Sequence, residues 1–255
     1  MSNDDGVNAP GLACLFKALS PFAEVVVVAP DRDKSGVSHS LTLASPLRIH
    51  LQSNGFYSVT GTPSDAVFLA IRGCLEEAPD MVISGINRGA NLGDDVLYSG
   101  TVAAAMEGRF LGYPALAISL VKGEEDTPLY YETAAQVAVL FFKKILQHPL
   151  PKRTILNINV PNKPFQEIKG IQVTRLGNRH LGEKVIAQRD PRGHKIYWLG
   201  LSGKEDDDGI GTDFHAIKAG YVSVTPLKSD LTDHAALETI SQWCDFAAVA
   251  PSLVS

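Results

Sequence analysis

The sequence predicts an α/β fold with a mostly parallel sheet. Two observations carry that reading. Continuous β-branched runs such as "EVVVVAP" read as strands buried on both faces, which is the texture of a parallel sheet. Segments with helical patterning alternate with those runs, and strict alternation of strand and helix builds right-handed crossover units.

The elements follow in order. A helix begins near Ala9 in "APGLACLFKALSPF", and the first long strand run is Glu24–Pro30. "TPSDAVFLAIRGCL" opens with Thr62 as N-cap, Pro63 at the first helical position and Asp65 three residues after the cap, a capping-box arrangement. A strand is expected over Asp80–Gly85, then an alanine-rich helix in "SGTVAAAMEGRFLG", then a strand over Pro114–Leu120. A Thr-Pro pair at Thr127 and Pro128 opens another helix, "TPLYYETAAQVAVLFFKKILQH", and "TILNINVP" gives a strand over Thr154–Pro161. From Gly170 the texture changes to strand-like pieces separated by loops, "GIQVTRLGNRH", "HKIYWLGL" and "GYVSVTPL", an excursion covering 170–220. The acidic stretches "GKEDDDGIG" and "KGEEDTP" read as solvated loops, since their oxygen spacing does not fit an EF-hand. "LTDHAALETISQWCDF" reads as a final helix, so 228–255 forms a C-terminal helix and tail on a single domain of 1–255.

Composition narrows the function classes. A length of 255 residues suffices for one sizeable core. The net charge of -5 speaks against nucleic acid or an anionic membrane as the main partner. Cys14, Cys74 and Cys244 are odd in number and far apart, so they read as small buried apolar residues in a reducing compartment. No apolar run approaches the roughly 18 residues of a membrane span, and no secretory signal pattern opens the chain, so the cytoplasm is the expected location.

In an open parallel sheet, ligands bind beyond the carboxyl ends of the strands. The segments at those ends are "NDDG", "PDRDKSGVSHS", "GINRGANLGDD" and "YSGTV". Asp4 and Asp5 beside Gly6 have two readings. They form a turn, or they hold a cation that offsets their mutual repulsion; hard oxygen ligands then point to Mg2+, Mn2+ or Ca2+. Asn87 sits among glycines that permit close backbone approach, either as a plain turn residue or as a ligand. Ser99 and Thr101 flank Gly100 at a helix start, where a hydroxyl caps the helix and exposed N–H groups also suit a phosphate. Ser35 is a turn residue or an oxygen ligand. There is no paired-histidine metal motif, no nucleophile-elbow GxSxG and no P-loop.

With these residues assembled, the chain closely resembles the SurE family, the survival-protein nucleotidases. The resemblance rests on "SNDDG", "APG", "VVAPDRDKSGVSHSLTL", "GTPSDAV", "SGINRGANLGDDVLYSGTVAAAMEG", "NINVP", "RLG" and "VSVTPLKSDLT", and runs from Ser2 to about Trp243. It implies a Rossmann-like three-layer sandwich with an extended hairpin, and a C-terminal arm used in homodimers or homotetramers. It implies a metal-dependent phosphatase acting on nucleoside 5′- and 3′-monophosphates and on short polyphosphate. By motif it implies Asp4, Asp5, Ser35 and Asn87 as ligands of one divalent ion, with Ser99, Gly100 and Thr101 holding phosphate. Asn3 is expected to orient an aspartate or the phosphate, and Asp4 and Asp5 to be the catalytic pair. A haloacid-dehalogenase-type phosphatase is the rival enzyme reading, but its aspartates are spaced D-x-D.

The resemblance also implies an apolar first strand leading into the aspartates, where this sequence carries Met1. A central strand has neighbours on both sides, so its loss is expected to leave two edges unpaired and to be severely destabilising. The expectation is therefore a first core strand missing from the chain as written, unless another segment fills the gap. A non-catalytic metal- or nucleotide-binding remnant is the third reading.

Overall fold

The computed structural model describes residues 1–123, 127–148, 150–200 and 202–244. The strands are β1 (Val28–Pro30), β2 (Ile49–Leu51), β3 (Tyr57–Val59), β4 (Ile83–Arg88), β5 (Ala115–Val121), β6 (Ile155–Pro161), β7 (Ile171–Val173), β8 (Asn178–Arg179), β9 (Ile186–Arg189), β10 (Lys195–Trp198), β11 (Glu205–Asp207) and β12 (Val222–Leu227). The helices are α1 (Pro10–Leu19), α2 (Pro63–Leu69), α3 (Gly100–Glu107), α4 (Tyr131–Gln147), α5 (Asp213–Lys218) and α6 (Leu237–Trp243).

The main sheet runs β4-β5-β6-β12-β7 and is parallel except where β12 meets β6. A second sheet runs β1-β3-β2, with β1 and β3 parallel. Met1 and Ser2 join the two. The Met1 amino group donates to the Val26 carbonyl at 2.6 Å, and Val28 N–H returns to the Met1 carbonyl at 2.9 Å. Ser2 N–H donates to the Ile83 carbonyl at 3.1 Å, and the Ser2 carbonyl accepts from Gly85 N–H at 2.9 Å. Two residues thus lie between β1 and β4, hydrogen-bonded to both.

Side-chain size sorts the two faces. Along β5, Leu116, Ile118 and Leu120 pack with Leu15, Leu19, Ala134 and Phe142 of α1 and α4. The alternate residues Ala115 and Ala117 face Val102, Ala105 and Met106 of α3. Period-two alternation sends bulky groups one way and methyls the other, so α3 sits close to the sheet and is buried from Gly100 to Met106. Helices on both faces make the three layers expected of the α/β reading.

Several boundaries differ from the sequence expectation. The Glu24–Pro30 run pairs as a strand only from Val28, where its register with β3 begins at Tyr57. β4 begins at Ile83 and continues through Arg88, so Asn87 lies in the strand rather than in the loop after it; the ladder with β5 shifts register between Ser84 and Asn87. α4 starts at Tyr131 rather than at the Thr-Pro pair. Part of the acidic "GKEDDDGIG" stretch is a strand: β11 pairs with β8, Asp207 holds Arg175, and Asp208 holds Lys218. The final helix is short, and the tail lies outside the described residues, as do the acidic residues 124–126 of "KGEEDTP". Cys74 and Cys244 are exposed rather than buried, since each ends a helical segment that packs little surface there; Cys14 is half-buried. The capping box at Thr62 and Asp65 is present with both bonds, at 2.8 and 3.1 Å.

Candidate active site

The carboxyl ends of β1 and β4, the segment after Ser2 and the start of α3 meet on one rim. Backbone bonds fasten them together. Lys34 N–H donates to the Asp4 carbonyl at 2.8 Å, placing the Ser35 loop beside the aspartates. Arg88 N–H donates to Asp5 Oδ2 at 3.0 Å, tying the second aspartate to the residue after Asn87. Ser38 N–H donates to the Tyr98 carbonyl at 3.1 Å, drawing the same loop toward "YSGT". The eight positions read from the sequence therefore share one neighbourhood.

Asp4 is buried and aimed at the N-terminus of α3. Thr101 Oγ1 donates to Asp4 Oδ1 at 2.5 Å, and the Thr101 backbone N–H acts on the same carboxylate. Helix starts present unpaired N–H groups and a positive dipole end, so a carboxylate is stabilised there. Gly100 makes the approach possible: a Cβ at that position would lie 2.7 Å from Asp4 Cβ. Ser99 caps the helix, accepting from Val102 N–H at 3.0 Å. Thr101 is fully buried, so its hydroxyl serves Asp4 in this arrangement, while Ser99 keeps a proton to donate.

Electrostatics set the pair apart from ordinary surface aspartates. Burial pushes the Asp4 carboxyl upward, opposed by the Thr101 hydrogen bonds. Burial first, and the Asp4 charge second, push Asp5 up to about 6. Asp33 adds repulsion on both. Among the described residues neither Asp4 nor Asp5 forms an ion pair. Asn3 is fully buried; its amide donates to the Gly6 carbonyl at 3.0 Å, which shapes the turn, and its Oδ1 has no partner. Two adjacent carboxylates, one buried and one partly buried with its pKa raised in part by the other's charge, are hard oxygen donors of the kind a divalent cation takes. Ser35 Oγ donates to Asp33 Oδ1 at 2.6 Å, and Asn87 Nδ2 donates to the Gly89 carbonyl at 3.0 Å, leaving the Asn87 oxygen available.

Three features escaped the sequence reading. Asp33 lies in the same "PDRDKSG" loop and orients Ser35, accepting its N–H and its hydroxyl. Asn91 is locked by a buried network: its N–H and amide donate to Asn159 Oδ1 and Ser119 Oγ, both at 2.8 Å, and its carbonyl accepts from Asn157 and Asn159. Asp213 is fully buried and accepts from the N–H groups of Gly93, Gly177 and Phe214 at 2.7, 2.9 and 2.9 Å. Asparagines at alternate positions of the otherwise apolar "NINVP" were the available signal, because polar residues inside a buried strand need partners.

A family model described as Survival protein SurE matches residues 1–183. The chain belongs to the SurE family. It is similar to the 5'-nucleotidase SurE of Nitrosococcus oceani, with 58% identity over 95% of this chain and 96% of that protein. It is similar also to the 5'-nucleotidase SurE of Coxiella burnetii, with 59% identity over 95% of this chain and 93% of that one. Among solved structures, the SurE protein from Aquifex aeolicus superposes with a TM-score of 0.82 and 47% identity, covering 96% of this chain and 98% of that one. In this SurE chain, both aspartates, the Ser35 loop, Asn87 and the "SGT" helix start fall within the matched 1–183.

Proposed function

We infer that the protein is a 5'-nucleotidase, a phosphatase of nucleoside monophosphates. The observation that carries this is identity of 56–59% to named 5'-nucleotidases over 95% of the chain. The geometry agrees. Asp4 and Asp5 diverge, one toward the start of α3 and the other toward Arg88, unlike a pair with one aspartate free to attack and the next free to donate a proton. The haloacid-dehalogenase reading and the non-catalytic remnant both fall behind.

Asp4, Asp5, Ser35 and Asn87 hold one divalent ion, Mg2+ or Mn2+, with Ca2+ as an alternative occupant. Bound there, such an ion supplies Lewis acidity toward a phosphoryl oxygen. The chain's own residues do the rest. The Ser99 hydroxyl and the N–H of Gly100 receive the remaining phosphate oxygens at the helix start, where the dipole favours negative charge. Thr101 fixes the rotamer of Asp4, Asp33 fixes Ser35, and the Asn91 network fixes the loop between β4 and α3. The substrate range extends to 3′-monophosphates and short polyphosphate. The enzyme acts in the cytoplasm as a homodimer or homotetramer through the 170–220 excursion, whose β9–β10 hairpin exposes Tyr197 and Trp198. Among the described residues no helix is long and apolar enough to cross a membrane.

The test is phosphate release from a panel of 5′- and 3′-monophosphates in Mn2+, Mg2+ or EDTA. Release from 5′-monophosphates with added metal and none in EDTA supports the reading. A folded protein that releases no phosphate from any nucleotide in any metal overturns it.

A further inference from the structure

The Ser35 loop joins β1 to β2 without a strand or helix of its own. It is tied down on both sides of Ser35. Before it, Asp31 N–H donates to the Val59 carbonyl at 2.9 Å and Lys34 N–H to the Asp4 carbonyl at 2.8 Å. After it, the Ser40 carbonyl accepts from Thr62 Oγ1 at 2.7 Å, and Thr42 donates to Asp65 through its N–H and hydroxyl at 2.9 and 2.6 Å. Over 35–39, among the described residues, two hydrogen bonds reach beyond the loop. One runs from Ser38 N–H to the Tyr98 carbonyl at 3.1 Å. In the other, His39 Nε2 lies 2.5 Å from Glu107 Oε1; a carboxylate accepts, so the ring nitrogen donates.

Glu107 is the last residue of α3, where the helix dipole is negative and a carboxylate is disfavoured. Its side chain is only 15% exposed, so water offsets little of that. Arg109 Nη1 is 3.7 Å away, but the same nitrogen donates to the Met106 carbonyl at 2.6 Å, and its guanidinium lies over the Phe110 ring. His39 is the close partner of this carboxylate. The loop is constrained at the same place. Ser38 has a φ of 56°, a left-handed backbone that a serine keeps only where its surroundings impose it. The bonds to Tyr98 ahead of α3 and to Glu107 at its end impose it here.

One buried helix therefore fixes two parts of the rim. Its start takes the Asp4 carboxylate through Thr101, and its end holds the loop that carries Ser35. We propose that His39 is a positioning residue for the phosphatase reaction: held by Glu107, it pins the Ser35 loop along α3 and keeps the Ser35 hydroxyl beside Asp4 and Asp5. This role rests on the assignment of Ser35 to the divalent ion.

The experiment compares His39→Ala, Glu107→Ala, their double variant, His39→Gln and Ser35→Ala in the full chain. The readouts are Mn2+ affinity by calorimetry, amide exchange at Ser38 in EDTA, and KM for AMP at saturating Mn2+. His39→Ala is expected to weaken Mn2+ binding about 10-fold, the lower end of the range for groups that orient metal ligands. It is expected to speed exchange at Ser38 about 10-fold in the absence of metal. KM for AMP should stay within about threefold of the parent once Mn2+ saturates. Glu107→Ala should match His39→Ala, and the double variant should bind no more weakly than either, because the two act as a unit. His39→Gln keeps an N–H donor and should hold binding within about threefold of the parent. Parent-like Mn2+ binding in His39→Ala, with binding weakened in Ser35→Ala, overturns the role of His39 and leaves Ser35 a ligand. Losses that multiply in the double variant overturn the pairing with Glu107. Parent-like binding in Ser35→Ala overturns the ligand assignment and the role of His39 with it.

Discussion

Thr101→Val is a near-isosteric change that removes one hydroxyl from a buried site. In the structure that hydroxyl donates to Asp4 Oδ1 at 2.5 Å, with Thr101 wholly shielded from solvent. Hydrogen bonds to a charged partner contribute about 1.5–3 kcal/mol, and 1.4 kcal/mol is tenfold in an equilibrium constant. Partners that orient a metal-binding carboxylate cost about 10–100-fold in affinity or activity when lost, the same range. The expected result is Mn2+ affinity weakened about 10–100-fold by calorimetry, with kcat lowered at subsaturating metal. Thr101→Ser keeps the donor and should stay within about threefold of the parent. If Thr101 held phosphate instead, Thr101→Val would raise KM for the nucleotide and leave Mn2+ binding untouched. That outcome, in a folded protein, would refute the assignment of its hydroxyl to Asp4.

Two further outcomes follow from named groups. Asp5→Asn should abolish phosphate release yet stabilise the protein in EDTA by about 1–2 kcal/mol at pH 7, a figure reduced for the partial exposure of Asp5. The sign is fixed by its raised pKa of about 6: the penalty for its charge grows as pH climbs from about 4 through 6, so urea midpoints of the parent in EDTA should fall across that window relative to the variant. Asp213→Ala strands three buried N–H groups and should cost about 3–5 kcal/mol by chemical denaturation.

The alternation of elements was legible because β-branched runs and helical patterns are local properties. So was the capping box at Thr62, whose two bonds involve residues three apart. The site positions were legible through the aspartate pair, the glycines and the "SGT" helix start. What was not legible depended on contacts distant in sequence. Thr101 could be read as a phosphate contact because nothing local shows that Asp4, 97 positions away, takes its hydroxyl. Asn87 read as a loop residue because the glycines around it signal a turn, whereas its pairing with β5 keeps the backbone in a strand. Cys74 and Cys244 read as buried on residue preference alone, and only the packing of the helix ends shows them exposed.

The central claim is that the rim of Asp4, Asp5, Ser35 and Asn87 holds a divalent ion on which nucleotide hydrolysis depends. The most direct measurement is phosphate release from AMP by EDTA-stripped protein, titrated with Mn2+, alongside Asp4→Asn. The account predicts no release without metal, saturable recovery with Mn2+, and no recovery in the variant. Release that persists in EDTA, or an Asp4→Asn protein as active as its parent, would contradict it.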